Sequence, residues 1–269
     1  MYLFRSLAIA ISMYSKIPVP MVEWNEKNMK YAMCFFPVVG AVTGALQLLI
    51  GSLLLEHTSC GNLFFAAVMT LIPVAVTGGI HLDGFADTVD ALSSYGDREK
   101  KLQILKDPNT GAFAVIGLCA YFLADTAIWS EAAGELLPVI ACSYMLSRSL
   151  SGISVVSFQA AKNSGLLRTF QDGAQKFRVR VVLILWACAC AGIMLYLSWR
   201  QAVVMILAAL LAFFYYHRMS KKQFDGTTGD LAGYFLQLCE LAMLAGAVLS
   251  RGIWCDENHI YPASANAGQ

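Results

Sequence analysis

The chain has 269 residues, of which 58% are hydrophobic and 14% charged, with a formal net charge of +1 and a mean hydropathy of +0.59. A soluble domain carries roughly 25% charged residues, so this composition belongs in a bilayer. The near-zero charge excludes a general nucleic-acid binder, which would show a basic excess.

Residues 4–13 are mostly apolar, with Arg5 near their start, and the following Tyr14-Ser15-Lys16-Ile17-Pro18 lacks a small-x-small cleavage site. This stretch is read as an interfacial or packed helix retained in the mature protein. A spanning helix needs about 20 mostly apolar residues. Candidates are 31–55, 63–80, 112–130, 136–158, 179–198, 202–217 and 231–250, the sixth being short enough to be tilted poorly or partly re-entrant. Gly40 and Gly44 form a small-xxx-small pair in the first span, a pattern that permits close helix approach. The fold class expected is therefore all-α: one polytopic membrane-embedded domain over 1–269, with about seven transmembrane helices, an N-terminal packed segment (1–30) and a C-terminal tail (251–269).

The loops alternate in charge. Lys16, Lys27 and Lys30 precede the first span; Arg98, Lys100, Lys101 and Lys106 follow the second. Lys162, Arg168, Lys176, Arg178 and Arg180 follow the fourth, and Arg218, Lys221 and Lys222 the sixth. The remaining loops hold Glu56 and His57, Glu131 and Glu135, and Arg200. The positive-inside rule makes the basic loops cytoplasmic, with the N-terminus inside and the tail outside. The eight cysteines form no CxxC pair and read as small buried hydrophobes.

The most informative segment follows the second span: Gly78-Gly79-Ile80-His81-Leu82-Asp83-Gly84-Phe85-Ala86-Asp87-Thr88-Val89-Asp90-Ala91-Leu92. In a helix Asp83, Asp87 and Asp90 fall at i, i+4 and i+7, on one face. Like charges so placed repel unless a cation lies between them, and carboxylate oxygens suit Mg²⁺. A solvated face, or a helix start capped by Asp83, is the plainer alternative. His81 adjoins the cluster, either to position or protonate a leaving group or as a structural histidine.

A second polar cluster is Lys106-Asp107-Pro108-Asn109-Thr110-Gly111, a turn by its Pro and Gly. Asp107 is a candidate to complete a metal site and Lys106 to offset phosphate charge, against an ordinary helix-capping loop. A third is Asp225-Gly226-Thr227-Thr228-Gly229-Asp230, entering the last span. Gly226 and Gly229 permit close backbone approach to an anion at a helix N-terminus, and Asp230 is either an N-cap or a further metal ligand. Arg148, Asp125 and Glu240 lie at membrane depth, where ionisable groups are costly unless paired or facing a cavity. Arg148 and Asp125 either pair with each other, or Arg148 binds a phosphate. Together the clusters suggest phosphoryl-type transfer by direct displacement, with Mg²⁺ held on a pyrophosphate.

The Gly78–Leu92 segment closely resembles the signature of the cobalamin synthase family, the adenosylcobinamide-GDP ribazoletransferases. The Lys106-Asp107 and Thr228-Gly229-Asp230 loops, Phe36-Pro37-Val38-Val39-Gly40 and the Gly165-Leu166 loop are similar to further family features, in order along most of the chain. Asp225 and Ala114 stand at or near positions where the family pattern has glycine. The resemblance implies a Mg²⁺-dependent enzyme of the bacterial cytoplasmic (inner) membrane, its site facing the cytoplasm and metal ligands drawn from Asp83, Asp87, Asp90, Asp107 and Asp230. Its substrates would be adenosylcobinamide-GDP and α-ribazole or α-ribazole 5′-phosphate, its products GMP and adenosylcobalamin or its 5′-phosphate. Membrane lipid is the only other partner expected, and a homo-oligomer is left open. CDP-alcohol phosphotransferases are the rival enzymes, but Ile80 occupies the place of their first aspartate. A secondary transporter would use Asp125, Arg148 and Glu240, but no inverted repeat is visible.

Overall fold

The computed structural model describes residues 2–161 and 175–254; the Gly165-Leu166 loop, Lys162, Arg168, Cys255 and most of the tail lie outside them. Helix α1 (Tyr2–Tyr14) is the expected packed N-terminal helix, with Ile9 and Ala10 buried. A short α2 (Glu26–Met29) leads to α3 (Phe36–His57), α4 (Asn62–Thr77) and α5 (Ile80–Ser93). Then come α6 (Arg98–Ile104), α7 (Ala112–Ser130), α8 (Leu137–Ser157), α9 (Lys176–Leu197), α10 (Trp199–Phe224) and α11 (Gly229–Trp254). Among the described residues there is no β-strand, only an isolated bridge between Ala160 and Thr227.

Among the described residues six helices are long and apolar enough to cross a membrane, or seven if the bent α4–α5 pair counts as one span. The chain is a polytopic helical membrane protein. At 1.5 Å per residue, the 22-residue α3 reaches about 33 Å, enough for a hydrocarbon core. The outer faces of α9 and α10 expose Leu185, Ile193, Leu207, Leu211 and Phe214, as lipid contact requires. The sixth span is not short. α10 runs 26 residues, because its helix continues past His217 through Arg218, Lys221 and Lys222 to a basic end. That end is clamped by α6: Lys101 Nζ donates to Gln223 Oε1 at 2.6 Å, and Arg98 Nε donates to the Lys222 carbonyl at 3.1 Å.

Two helices form the centre. α8 packs against α3 and α9, while α11 packs against α10, α5 and α8. Gly40 and Gly44 of α3 sit directly on the backbone of α8, at Tyr144 and Ala141, where a Cβ would collide. The small-xxx-small pair is thus the α3–α8 interface. Gln47 adds a polar tie, its Nε2 donating to the Met69 carbonyl of α4 at 2.7 Å. Arg148 of α8 is fully enclosed and pairs with Glu240 of α11. Ser147 donates to the same Glu240 oxygen at 2.8 Å. The partner of Arg148 is therefore Glu240 and not Asp125, which instead faces Thr70 of α4.

Candidate functional site: an acidic cleft at the α4–α5 break

The site begins with two glycines. Gly78 (φ +66°) and Gly79 (φ +80°) both adopt left-handed backbone, which L side chains resist. Gly78 ends α4, and the chain restarts as α5 at 98° to it. This turn swings the acidic segment across the end of the bundle instead of letting it continue as a straight span. The stem of Lys16 lies in the space that a side chain at Gly78 would fill.

α5 then meets the start of α11 backbone to backbone. A Cβ on Gly84 would lie 2.8 Å from both Cα and O of Asp230. On α11, a Cβ on Gly233 would lie 3.0 Å from the His81 carbonyl. At Gly84 only glycine permits this approach, and at Gly233 any side chain would press on the His81 backbone. Asp83 and Asp87, on one helix, are thereby brought to Asp230 on another. Asp87 stands in the field of Asp83, Asp230 and Asp90, and Asp230 in that of Asp83. Two such charges at 4 Å repel by about 1 kcal/mol in water and several-fold more near a protein surface, so the arrangement favours a cation. Asp83 is exposed, while Asp87, Asp90 and Asp230 are half-buried.

A cleft of about 430 Å³ opens here, lined by Asp83, Asp87, Gly78, Gly79, Thr110 and the apolar wall of Leu118 and Phe122 from α7. No serine, cysteine or histidine lies among its lining residues. Nor do the described residues hold any group of three or more His, Cys, Asp or Glu at metal-binding spacing. Mg²⁺ does not need one: it keeps several waters and binds through one or two carboxylates plus substrate phosphate. The hard-oxygen set of Asp83, Asp87 and Asp230 fits such an ion.

Asp230 is not the helix cap. Thr228 is: its Oγ1 accepts from the Leu231 N–H at 3.2 Å, leaving the Asp230 carboxylate one position inside the positive end of the α11 dipole. Asp90 packs against Gly111, joining the second loop to the cluster. Asp107 itself is exposed and turned on its own loop, its Oδ1 accepting from the Asn109 N–H at 2.9 Å and the Asn109 Nδ2 at 2.7 Å. The Asn109 backbone N–H, then its side-chain amide, hold the Asp107 carboxyl below the usual range. Lys106 is also exposed, and neither residue lines the cleft.

Other expected site residues sit elsewhere. His81 is buried between Tyr14 and Phe36, with ring centroids 6.0 and 5.9 Å away, on the side of α5 turned from the cleft. Arg148 braces α8 to α11 and reaches no cleft residue. Gly226 (φ +149°) is covered by the 159–161 segment, where Thr227 N–H donates to the Gln159 carbonyl at 2.9 Å. Its backbone is thus spent on the protein. Gly229 is open, with nothing within 4 Å of a Cβ placed there. The departure at Asp225 has a local cause: it closes α10 in the left-handed conformation (φ 57°), which aspartate tolerates better than most residues. Ala114 is buried at the start of α7. Thr110 belongs to the second polar cluster, whereas Leu118 and Phe122 carried no signal of their own in the sequence, since hydropathy alone does not say which side of α7 faces the break.

The bent α4–α5 pair of this helical membrane protein thus holds clustered aspartates against a second membrane helix. A protein-family model described as cobalamin-5-phosphate synthase matches residues 6–248. The chain belongs to that family. Similar proteins include the adenosylcobinamide-GDP ribazoletransferase of Lachnoclostridium phytofermentans, 46% identical over 93% of this chain and 95% of its own length. The enzyme of the same name from Pseudomonas syringae is 34% identical over 88% and 96%, and that from Clostridium botulinum 33% over 92% and 98%. No solved structure matches.

Proposed function

We propose that the chain transfers the adenosylcobinamide-phosphate moiety of adenosylcobinamide-GDP to α-ribazole or α-ribazole 5′-phosphate, releasing GMP. The names of the similar proteins support donor and acceptor class. The observation that carries the reading is the Gly84–Asp230 contact, because it brings Asp230 of α11 up to Asp83 and Asp87, the two carboxylates that line the cleft. A pyrophosphate is itself anionic, so carboxylates and substrate are compatible only with a cation between them. Mg²⁺, when bound by Asp83, Asp87 and Asp230, would supply charge neutralisation on the phosphoryl oxygens.

The chain's own residues do the rest. Asp90, against Gly111, holds the 107–111 loop to the cluster. That loop is the nearest place for Asp107 and Lys106 to meet the GDP end of the donor. Leu118 and Phe122 give the cleft an apolar side. The ribose 3′-hydroxyl of the acceptor attacks the cobinamide-bound phosphorus directly, and GMP leaves; no nucleophilic side chain is required. The cleft faces the cytoplasm of a bacterial cytoplasmic membrane, in keeping with the basic residues Arg98, Lys100 and Lys101 of α6, the helix that follows α5.

The test is acceptor-dependent release of GMP by the purified protein in liposomes, with each acceptor in turn and with Mg²⁺ or chelator. Release requiring both acceptor and Mg²⁺ is expected. Release that ignores the acceptor, or none with either acceptor, overturns the reading.

A further inference from the structure

The cleft has carboxylates but no cation among its lining residues. Lys16 stands at its edge. The side chain of Lys16 crosses Gly78, one of the cleft's lining residues, so closely that a Cβ there would run into its Cγ, Cδ and Cε. The backbone fixes this position: the Lys16 N–H donates to the Val76 carbonyl at 2.8 Å, tying the end of α1 to the last turn of α4. Ile17 beside it packs on the core, and its N–H donates to Ser15 Oγ at 3.3 Å. The stem is thus held on both flanks while the side chain remains exposed. Among the described residues Lys16 forms no ion pair with any carboxylate, although Asp83 and Asp87 line the same cleft as Gly78. An ammonium at the rim of an acidic cleft, anchored but unpaired, is arranged for an anion that enters with the ligand.

We infer that Lys16 is a phosphate-binding residue of this site, contacting the pyrophosphate of the donor beside Gly78. The inference rests on the transfer reading above and adds a residue to it. Gly78 takes a second meaning: besides turning the chain, its missing side chain makes room for the Lys16 stem. Lys106, exposed just before the 107–111 loop, is then not the only cation available to the donor.

Three variants separate charge from shape. Lys16→Met keeps an unbranched stem over Gly78 and removes the ammonium; Lys16→Arg keeps the charge; Lys16→Ala removes both. Steady-state GMP release is measured with donor and acceptor varied in turn, and binding of GDP and of inorganic pyrophosphate is measured without acceptor. Loss of one charge-assisted contact lowers donor kcat/KM roughly 10–100-fold. Lys16→Met and Lys16→Ala should both show that loss, with weakened GDP binding and an unchanged acceptor KM, and Lys16→Arg should recover most of it. Lys16→Met with wild-type donor kinetics and GDP affinity overturns the inference, as does equal loss in Met and Arg, which marks a packing role. If wild-type protein shows no transfer, the transfer reading fails by itself, and pyrophosphate binding by wild type against Lys16→Met still decides the role of Lys16. Wild-type protein that binds neither GDP nor pyrophosphate overturns it.

Discussion

Gly84→Ala should leave the protein folded and remove most of its activity. The added Cβ would sit 2.8 Å from Cα and O of Asp230, about 0.6 Å inside the 3.4 Å at which ordinary contact begins. Both obstructing atoms are backbone and cannot rotate aside, so α5 must move away from α11 by at least that amount. Two stability terms oppose each other. Alanine is favoured over glycine in a helix by about 1 kcal/mol, while overpacking costs about 1–3 kcal/mol. The net is a loss of roughly 0–2 kcal/mol, a few degrees in Tm. Catalysis is less tolerant, because a misplacement near 1 Å costs about 100-fold, and this shift separates Asp83 and Asp87 from Asp230. The control is Gly229→Ala, where the new Cβ meets nothing within 4 Å. Thermal unfolding in detergent and kcat for GMP release should show two folded variants, with only Gly84→Ala slow. A Gly84→Ala enzyme within twofold of wild-type kcat would refute the claim that the α5–α11 contact sets the site.

Asp230→Ala should lose far more kcat/KM for the donor than Asp107→Ala, since Asp230 stands in the field of Asp83 while Asp107 is turned toward Asn109; equal losses would place the 107–111 loop at the reaction centre. Glu240→Gln leaves the enclosed Arg148 guanidinium without its counter-charge, at about 3–5 kcal/mol, so unfolding should come many degrees lower; pairing it with Arg148→Met should recover much of that loss, and a single variant as stable as wild type would deny the brace between α8 and α11.

Much of this was legible in the sequence because bilayers impose length and hydropathy. α7 falls on the expected bounds, and α8 within a residue of them at each end. The sixth span was underestimated because charged residues such as Arg218 and Lys222 lower hydropathy without breaking a helix. The Asp83–Asp87 face was readable from helical spacing, and the Gly84 contact that carries it to Asp230 was not. Spacing reports which residues share a face, whereas helix-to-helix approach depends on which glycine meets which backbone. For the same reason Glu240 could not be chosen over Asp125 as the partner of Arg148. His81 was drawn to the site by its neighbours in sequence, yet one residue before Leu82 on a helix is enough to turn a side chain from the cleft to the aromatic core of Tyr14 and Phe36.

Asp83 and Asp87, which line the cleft, are the carboxylates on which the proposed phosphoryl transfer depends. The most direct measurement is acceptor-dependent GMP release by Asp83→Asn and Asp87→Asn across a Mg²⁺ titration, on protein whose thermal unfolding matches wild type. Asparagine keeps the size and removes the charge, so each variant should lose at least about 100-fold in kcat, only partly restored by high Mg²⁺. Near-normal turnover of either variant at ordinary Mg²⁺ would contradict the account.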